Sequence, residues 1–128
     1  MDSIAALAKE FFDSVERGDV AKLQSIYAPD AKIWHNTDEL EQTPADNLKT
    51  LEGFVARIAD RRYTERRLHV FPGGFVQQHR LTGKRTRDGH PVSLTACIVC
   101  AVENGRIIRL DEYFDSAAVA RFREPAKA

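Results

Sequence analysis

Three side chains in this sequence have the chemistry to move protons or steady charge, and the spacing around them puts each on a strand. His35 closes the run Ile33-Trp34-His35-Asn36. Histidine titrates nearest physiological pH and is suited to taking a proton from a carbon or a water and returning it. Arg80 stands between Gln78 and Thr82, and period-two alternation puts these three on one side of a strand. Glu112 shares a side with Leu110 and Phe114 in the same way. Together they would suit cofactor-free acid–base work on a small, mostly apolar, oxygen-bearing molecule, with Arg80 steadying the developing oxyanion. Each also has a plainer reading: a buried histidine bonded to a carbonyl, or an Arg80–Glu112 pair that only neutralises itself.

The elements that must position them can be read from periodicity and turn chemistry. Ile4, Leu7, Ala8, Phe11 and Val15 recur at helical spacing, with Ser3 as a cap and Gly18 as a stop. Asp19 caps a second helix carrying Val20, Leu23, Ile26 and Tyr27, which Ala28-Pro29-Asp30 ends. Residues 32–36 predict a short strand. Thr43-Pro44 opens a third helix with Leu48, Leu51, Val55 and Ile58 as its apolar stripe. Three turns, Pro72-Gly73-Gly74, Arg87-Asp88-Gly89 and Glu103-Asn104-Gly105, then divide antiparallel strands at 63–71, 75–85, 91–102 and 106–114. Ser116 caps a last turn of helix ending near Phe122, and Glu124 onward reads as a frayed tail. The whole is one α+β domain, residues 1–128, in which N-terminal helices cover a cone-shaped, curved antiparallel sheet that encloses a pocket, the first and third helices closing one mouth.

Composition narrows the class. The chain has 128 residues, 43% hydrophobic, which suits a single core without disulfide or metal staples. Nineteen basic residues balance nineteen acidic ones, so there is no general attraction to nucleic acid or to a membrane surface. No run is long and apolar enough to cross a bilayer, and residues 1–7 lack the pattern of a signal peptide. Two cysteines and no disulfide framework fit a reducing cytoplasm. Cys97 and Cys100 have C-x-x-C spacing, but within a strand they face opposite sides, so neither a redox motif nor a metal site is expected.

Tyr27-Ala28-Pro29-Asp30-Ala31 running into Ile33-Trp34-His35-Asn36, the strand Gly74 to Arg80, and Gly105-Arg106-Ile107 running to Glu112-Tyr113-Phe114-Asp115 give the order a family likeness. It resembles the SnoaL-like branch of the nuclear transport factor 2-like superfamily, which is similar to ketosteroid isomerase, limonene epoxide hydrolase and the polyketide cyclases. The resemblance covers nearly the whole chain. It implies that His35 stands where the isomerase has its general base, Arg80 at the hydrolase's catalytic arginine, and Glu112 at a catalytic carboxylate of that enzyme. Thr82 stands where the hydrolase has an aspartate, Phe11 in place of the isomerase's oxyanion-hole tyrosine, and Ile98 in place of its protonated aspartate. On this alignment His35 is the only histidine at the pocket, and Phe11, Ile33, Gln78, Thr82, Ile98 and Phe114 surround the ligand.

No cofactor or metal is called for. The expected partner is a small hydrophobic or cyclic ligand, in an isomerase, hydrolase or cyclase or, alternatively, in a non-catalytic ligand-binding or dimerisation module. Leu94, Ala96, Ile98 and Cys100 are assigned to the pocket side of their strand. The other side, Thr95, Cys97, Val99 and Ala101, is too apolar for water and predicts a homodimer, which the resemblance also implies. Trp34, Phe54 and Phe114 are aromatics for stacking or for core. Arg61-Arg62 and Arg66-Arg67 read as a solvated strand end, and Gly83-Lys84-Arg85 as a hairpin shoulder rather than a phosphate loop.

Overall fold

The apolar stripe of the N-terminal segment winds into α1 (Asp2–Arg17), which buries Ala8, Phe11, Phe12 and Val15 along one face. Helix and sheet are seen in a computed structural model that describes residues 2–122, so the tail expected from Glu124 lies outside the described residues. Ser3 is inside the first turn of α1 rather than its cap. Gly18 takes φ +73°, and the N–H groups of Gly18 and Asp19 return to the carbonyls of Val15 and Ser14 at 3.0 and 2.9 Å, which closes the helix. Asp19 then caps α2 (Val20–Ile26), accepting from the Lys22 N–H. Thr43 and Asp46 form a reciprocal capping box at the start of α3 (Pro44–Arg57).

The strands are β1 (Tyr27–His35), β2 (Glu41–Gln42), β3 (Ile58–Phe71), β4 (Gly74–Arg85), β5 (Pro91–Glu103) and β6 (Arg106–Phe114), followed by α4 (Ser116–Phe122). They form one sheet in the order β2-β1-β6-β5-β4-β3. All neighbours are antiparallel except β1 and β6, which run parallel, so the sheet is mixed rather than wholly antiparallel. β1 begins at Tyr27, five residues before the predicted start. Pro29 is tolerated there because the ladder to β6 is interrupted between Tyr27 and Lys32, where no N–H is needed. β2 was not expected, and β3 begins at Ile58, directly out of α3. Asp115, not Ser116, caps α4: its carboxylate accepts from the Ala117 N–H at 3.2 Å.

The curvature has a local cause. Register slips between Ala59 and Arg62 and again between Thr64 and Arg67, and Asp60 and Glu65 take φ of 53° and 54° at those bulges. A bulge adds twist and bends its strand. The bent sheet divides its inner face. One half packs α1 and α2 through Phe12, Leu23, Ile33, Phe75 and Ile107. The other half carries a smaller cluster, Ile58, Leu81, Leu94 and Val119, under α3 and α4. Gly83 belongs to this half, where a Cβ would come within 2.4 Å of the Ile58 side chain.

The arginines of β3 are not uniformly solvated. Arg62 and Arg67 are exposed, but Arg66 pairs with Asp13 at 2.9 Å and Glu16 at 3.1 Å and lies over the Tyr63 ring. Arg61 donates to four carbonyls: Val15 and Glu16 at the end of α1, each at 3.1 Å, Val55 in the last turn of α3 at 3.1 Å, and Ile58, the first residue of β3, at 2.6 Å. They lie where α1 and α3 run out, and one planar fork reaches all four. Arg61→Ala is therefore expected to cost about 3 kcal/mol, read as a lower urea midpoint. Arg61→Lys should recover little, since an ammonium cannot span both helix ends. A midpoint unchanged in Arg61→Ala would rule out the clamp.

Candidate active site

The parallel ladder between β1 and β6 sets His35 opposite Glu112. Asn36 locks that end: its side chain donates to the Phe114 carbonyl at 3.0 Å and accepts from the Phe114 N–H at 3.1 Å, while its own N–H reaches the Glu112 carbonyl at 3.0 Å. His35 Nε2 then lies 3.2 Å from Glu112 Oε1, with the two side chains only 17% and 19% exposed. This is an imidazole–carboxylate pair held between two strands, in surroundings where electrostatic attraction is stronger than in water.

Glu112 opens onto a cavity of about 400 Å³. Its walls are apolar, built from Leu51 and Phe54 of α3, Leu81 and Leu94 of the sheet, Phe114 and Val119. Ile58, Tyr63 and the rim residues Thr50, Arg57, Arg85, Thr86 and Arg87 complete it. His35 is not among the lining residues, so it meets the cavity through Glu112. Among the described residues no three His, Cys, Asp or Glu side chains cluster as a metal site would require.

The interior around Glu112 holds its neighbours uncharged. Burial, and then the charge of Glu112, push the Tyr63 phenol and the Cys100 thiol up, and the Tyr27 phenol rises chiefly through burial. No hydrogen bond to the Tyr63 hydroxyl occurs among the described residues, so Tyr63, which lines the cavity, keeps its proton and an unused donor. His79 is 3% exposed, between the rings of Tyr63 at 4.6 Å and Phe12 at 5.3 Å, with Gln77 at 3.0 Å from Nδ1. Its Nε2 has no hydrogen-bond partner. Burial lowers its pKa from 6.5 to about 4, with Glu112 opposing and Arg66 assisting.

Of the residues expected at the site, His35 and Glu112 are brought together, and Phe114 lines the cavity beside Glu112. Phe11, Ile33 and Ile98 face inward but are sealed in the packed half of the core, 4%, 0% and 3% exposed, and do not line the cavity. Arg80, Gln78 and Thr82 share one side as predicted, but it is the outer one. Arg80 is exposed, bonded to Glu65 at 2.9 Å and Ser93 at 3.0 Å, and the expected pairing with Glu112 is not formed. The inward residues of β4 are Phe75, Gln77, His79 and Leu81, each opposite an inward residue of β5. A shift of one residue exchanges the faces of a strand. His79 is thus a second inward histidine that the alignment overlooked; the matching parity of Phe75, Leu81 and Gly83 was the signal for it. Trp34 packs outside against Tyr113 at 5.3 Å, and α1 fills core while α3 and α4 roof the cavity. Cys97 and Cys100 face opposite sides, both free thiols.

Curved sheet, helical roof and a carboxylate set into an apolar chamber define a class of small α+β pocket proteins. The SnoaL-like domain profile matches residues 8–110, and the chain belongs to that family. Among solved structures, an NTF2-like protein of unknown function from Burkholderia pseudomallei is similar at 17% identity and TM-score 0.83, over 98% of this chain and 100% of that one. A protein with a ketosteroid isomerase-like fold from Catenulispora acidiphila, in complex with trimethylamine, is similar at 10% identity and 0.78, over 90% and 89%. An LEH-like epoxide hydrolase of M. tuberculosis is similar at 15% identity and 0.75, over 93% and 86%. No curated protein matches the sequence.

The depressed histidine has a consequence for stability. His79 is neutral when folded, whereas in the unfolded chain it gains a proton below its ordinary value of 6.5. Its contribution is therefore complete above pH 6.5 and is lost as the pH falls from there towards 4, amounting to about 3 kcal/mol. The His79→Phe variant should lose less stability than the wild type across that window in urea titrations. Parallel curves for the two proteins would contradict the assignment.

Proposed function

We propose that the protein is a cofactor-free acid–base enzyme of the isomerase, hydrolase or cyclase type, with a small, mostly apolar, oxygen-bearing substrate. One observation carries this reading: the carboxylate of Glu112 is set in the wall of an apolar cavity and held there by His35 at 3.2 Å. Glu112 takes a proton from a carbon or from an oxygen nucleophile and returns it to the product. Tyr63 donates to the oxygen that gains charge. His35 is a positioning residue, acting through Glu112. A proton-transfer group of this kind contributes about 10²–10⁴ in rate, and one hydrogen-bond donor to an oxyanion about 10²–10³.

Turnover would be screened first on cyclic ketones, epoxides and carboxylic esters. On a substrate so found, Glu112→Gln should lower kcat by about a hundredfold or more and leave ligand binding within a few-fold. His35→Ala should lower kcat as well, and His35→Gln, which keeps an N–H near Nε2, should recover part of the loss. Arg80→Ala, on the outer face, should change neither rate nor binding. Full activity in both Glu112→Gln and His35→Ala would leave the non-catalytic binding module as the reading.

We also propose that the chain works as a homodimer joined through the outer face of the sheet. Tyr113 is 46% exposed there beside Trp34, with Cys97, Val99 and Ala101 only half-buried. An isologous contact would cover this patch with its own copy. Sedimentation velocity should give a dimer at micromolar concentration and a monomer for Val99→Lys. A wild-type monomer would dismiss the proposal.

A further inference from the structure

The cavity is apolar along its length but not at its rim. Arg57, Arg85 and Arg87 all line it. They form one structural unit. Arg57 is the last residue of α3, and Thr86, between the other two, donates its N–H to the Arg57 carbonyl at 2.8 Å and its hydroxyl to the Ala56 carbonyl at 3.0 Å. The carbonyls that would make the end of α3 repel an anion are thereby occupied.

The three guanidinium groups are not equivalent. Arg85 is held by Asp88 through two contacts, at 3.2 and 3.1 Å, with its side chain 12% exposed. Its charge is neutralised there. Arg57 and Arg87 have no acidic partner among the described residues. The chain as a whole is neutral, so two uncompensated guanidiniums at the mouth of a cavity are not the overflow of a basic protein. Arg57 is also folded back along its helix: its NH1 would come within 2.9 Å of a Cβ at Gly53, a position where none is present.

Among the described residues Glu112 is the one acidic residue lining the cavity, and it is remote from this rim along the sheet. Glu112 lies in the ladder row of Ile98 and Gln77, and Arg85 is eight residues farther along β4 than Gln77. Eight extended residues cover roughly 25 Å of strand before curvature is counted. Along the roof, Thr50, Leu51, Phe54 and Arg57 make a helical stripe of about 10 Å. A ligand bound along that stripe has an apolar body between the sheet and α3, and one end at the arginines.

We infer that the ligand of this cavity is an organic acid, with an ionised carboxylate held at the rim by Arg57 and Arg87 and an apolar body that points towards Glu112. This deepens the proposed function by naming the substrate class, and it rests on that reading of the cavity. Guanidinium binds carboxylate through paired hydrogen bonds, which a neutral group of the same shape cannot reproduce. The inward direction also keeps the carboxylate away from the Glu112 charge.

The test uses three probes with one body, 4-phenylbutyrate, 4-phenylbutan-1-ol and 4-phenylbutylamine, titrated calorimetrically into the full chain. The acid should bind at least about tenfold tighter than the alcohol, with the amine weakest, since a charge-assisted pair exceeds a neutral hydrogen bond by about this margin. In the double variant Arg57→Gln, Arg87→Gln, the acid should lose about tenfold and the alcohol stay within about twofold. Equal binding of acid and alcohol, or an acid affinity indifferent to the double variant, overturns this inference. Either result leaves the proposed reaction standing, because that is judged by the turnover of Glu112→Gln. If none of the three probes binds, this inference is overturned and the cavity reading beneath it is lost as well.

Discussion

A single guanidinium, that of Arg61, joins the ends of two helices to the first bulged turn of the sheet, and the cavity exists because of where those ends are held. α1 ends on the Val15 and Glu16 carbonyls, and α3 runs through Val55 into Ile58 at the start of β3. Arg61 bonds all four of these carbonyls. With α1 so fixed, its aromatic face can descend onto one half of the inner sheet only. With α3 so fixed, it stands off the other half, leaving a chamber where a continuous core would otherwise form. The bulges at Asp60 and Glu65 reinforce the division, because a flatter sheet would present one uniform surface to both helices.

Within that chamber one carboxylate sets the electrostatic tone. Two phenols and a thiol are all pushed up, so none competes with Glu112 for negative charge. His79 is kept neutral by burial although the nearby carboxylate favours its protonation, so desolvation outweighs attraction there. His35 differs, being only partly buried and in direct contact with Glu112. Two histidines on neighbouring parts of one inner face therefore have separate tasks: one packs as an aromatic, and the other holds a carboxylate.

Much of this was legible in the sequence, and the failures have physical reasons. The helical stripes, the caps at Asp19 and Thr43 and the turns at Gly73 and Gly105 follow from backbone chemistry that leaves clear marks. His35, Ile98, Glu112 and Phe114 were put on the correct face because the strands around them alternate cleanly. β4 does not alternate cleanly. Its inward face includes the polar Gln77 and His79, and its outward face the apolar Val76, so reading polar residues as cavity residues selected the wrong parity. The β3 bulges left no mark either, since Asp60 and Glu65 take positive φ without the glycine that usually signals it. Tyr63 lies between those bulges, and its place at the cavity could not be counted from a regular strand.

The parity of β4 decides more than the position of one arginine. With Arg80 on the outer face, no lysine or arginine pairs with Glu112 among the described residues, so in the proposed reaction that carboxylate is not spent in an ion pair with arginine. A buried Arg80–Glu112 pair would have traded reactivity for neutrality. The structure instead places its cavity-lining guanidiniums at the rim, on α3, the end of β4 and the β4–β5 turn, and gives Glu112 an imidazole and a phenol as neighbours. In the proposed reaction, with the proposed ligand, charge recognition and proton transfer are separated along the cavity, so that a substrate is oriented by one end while it reacts at the other.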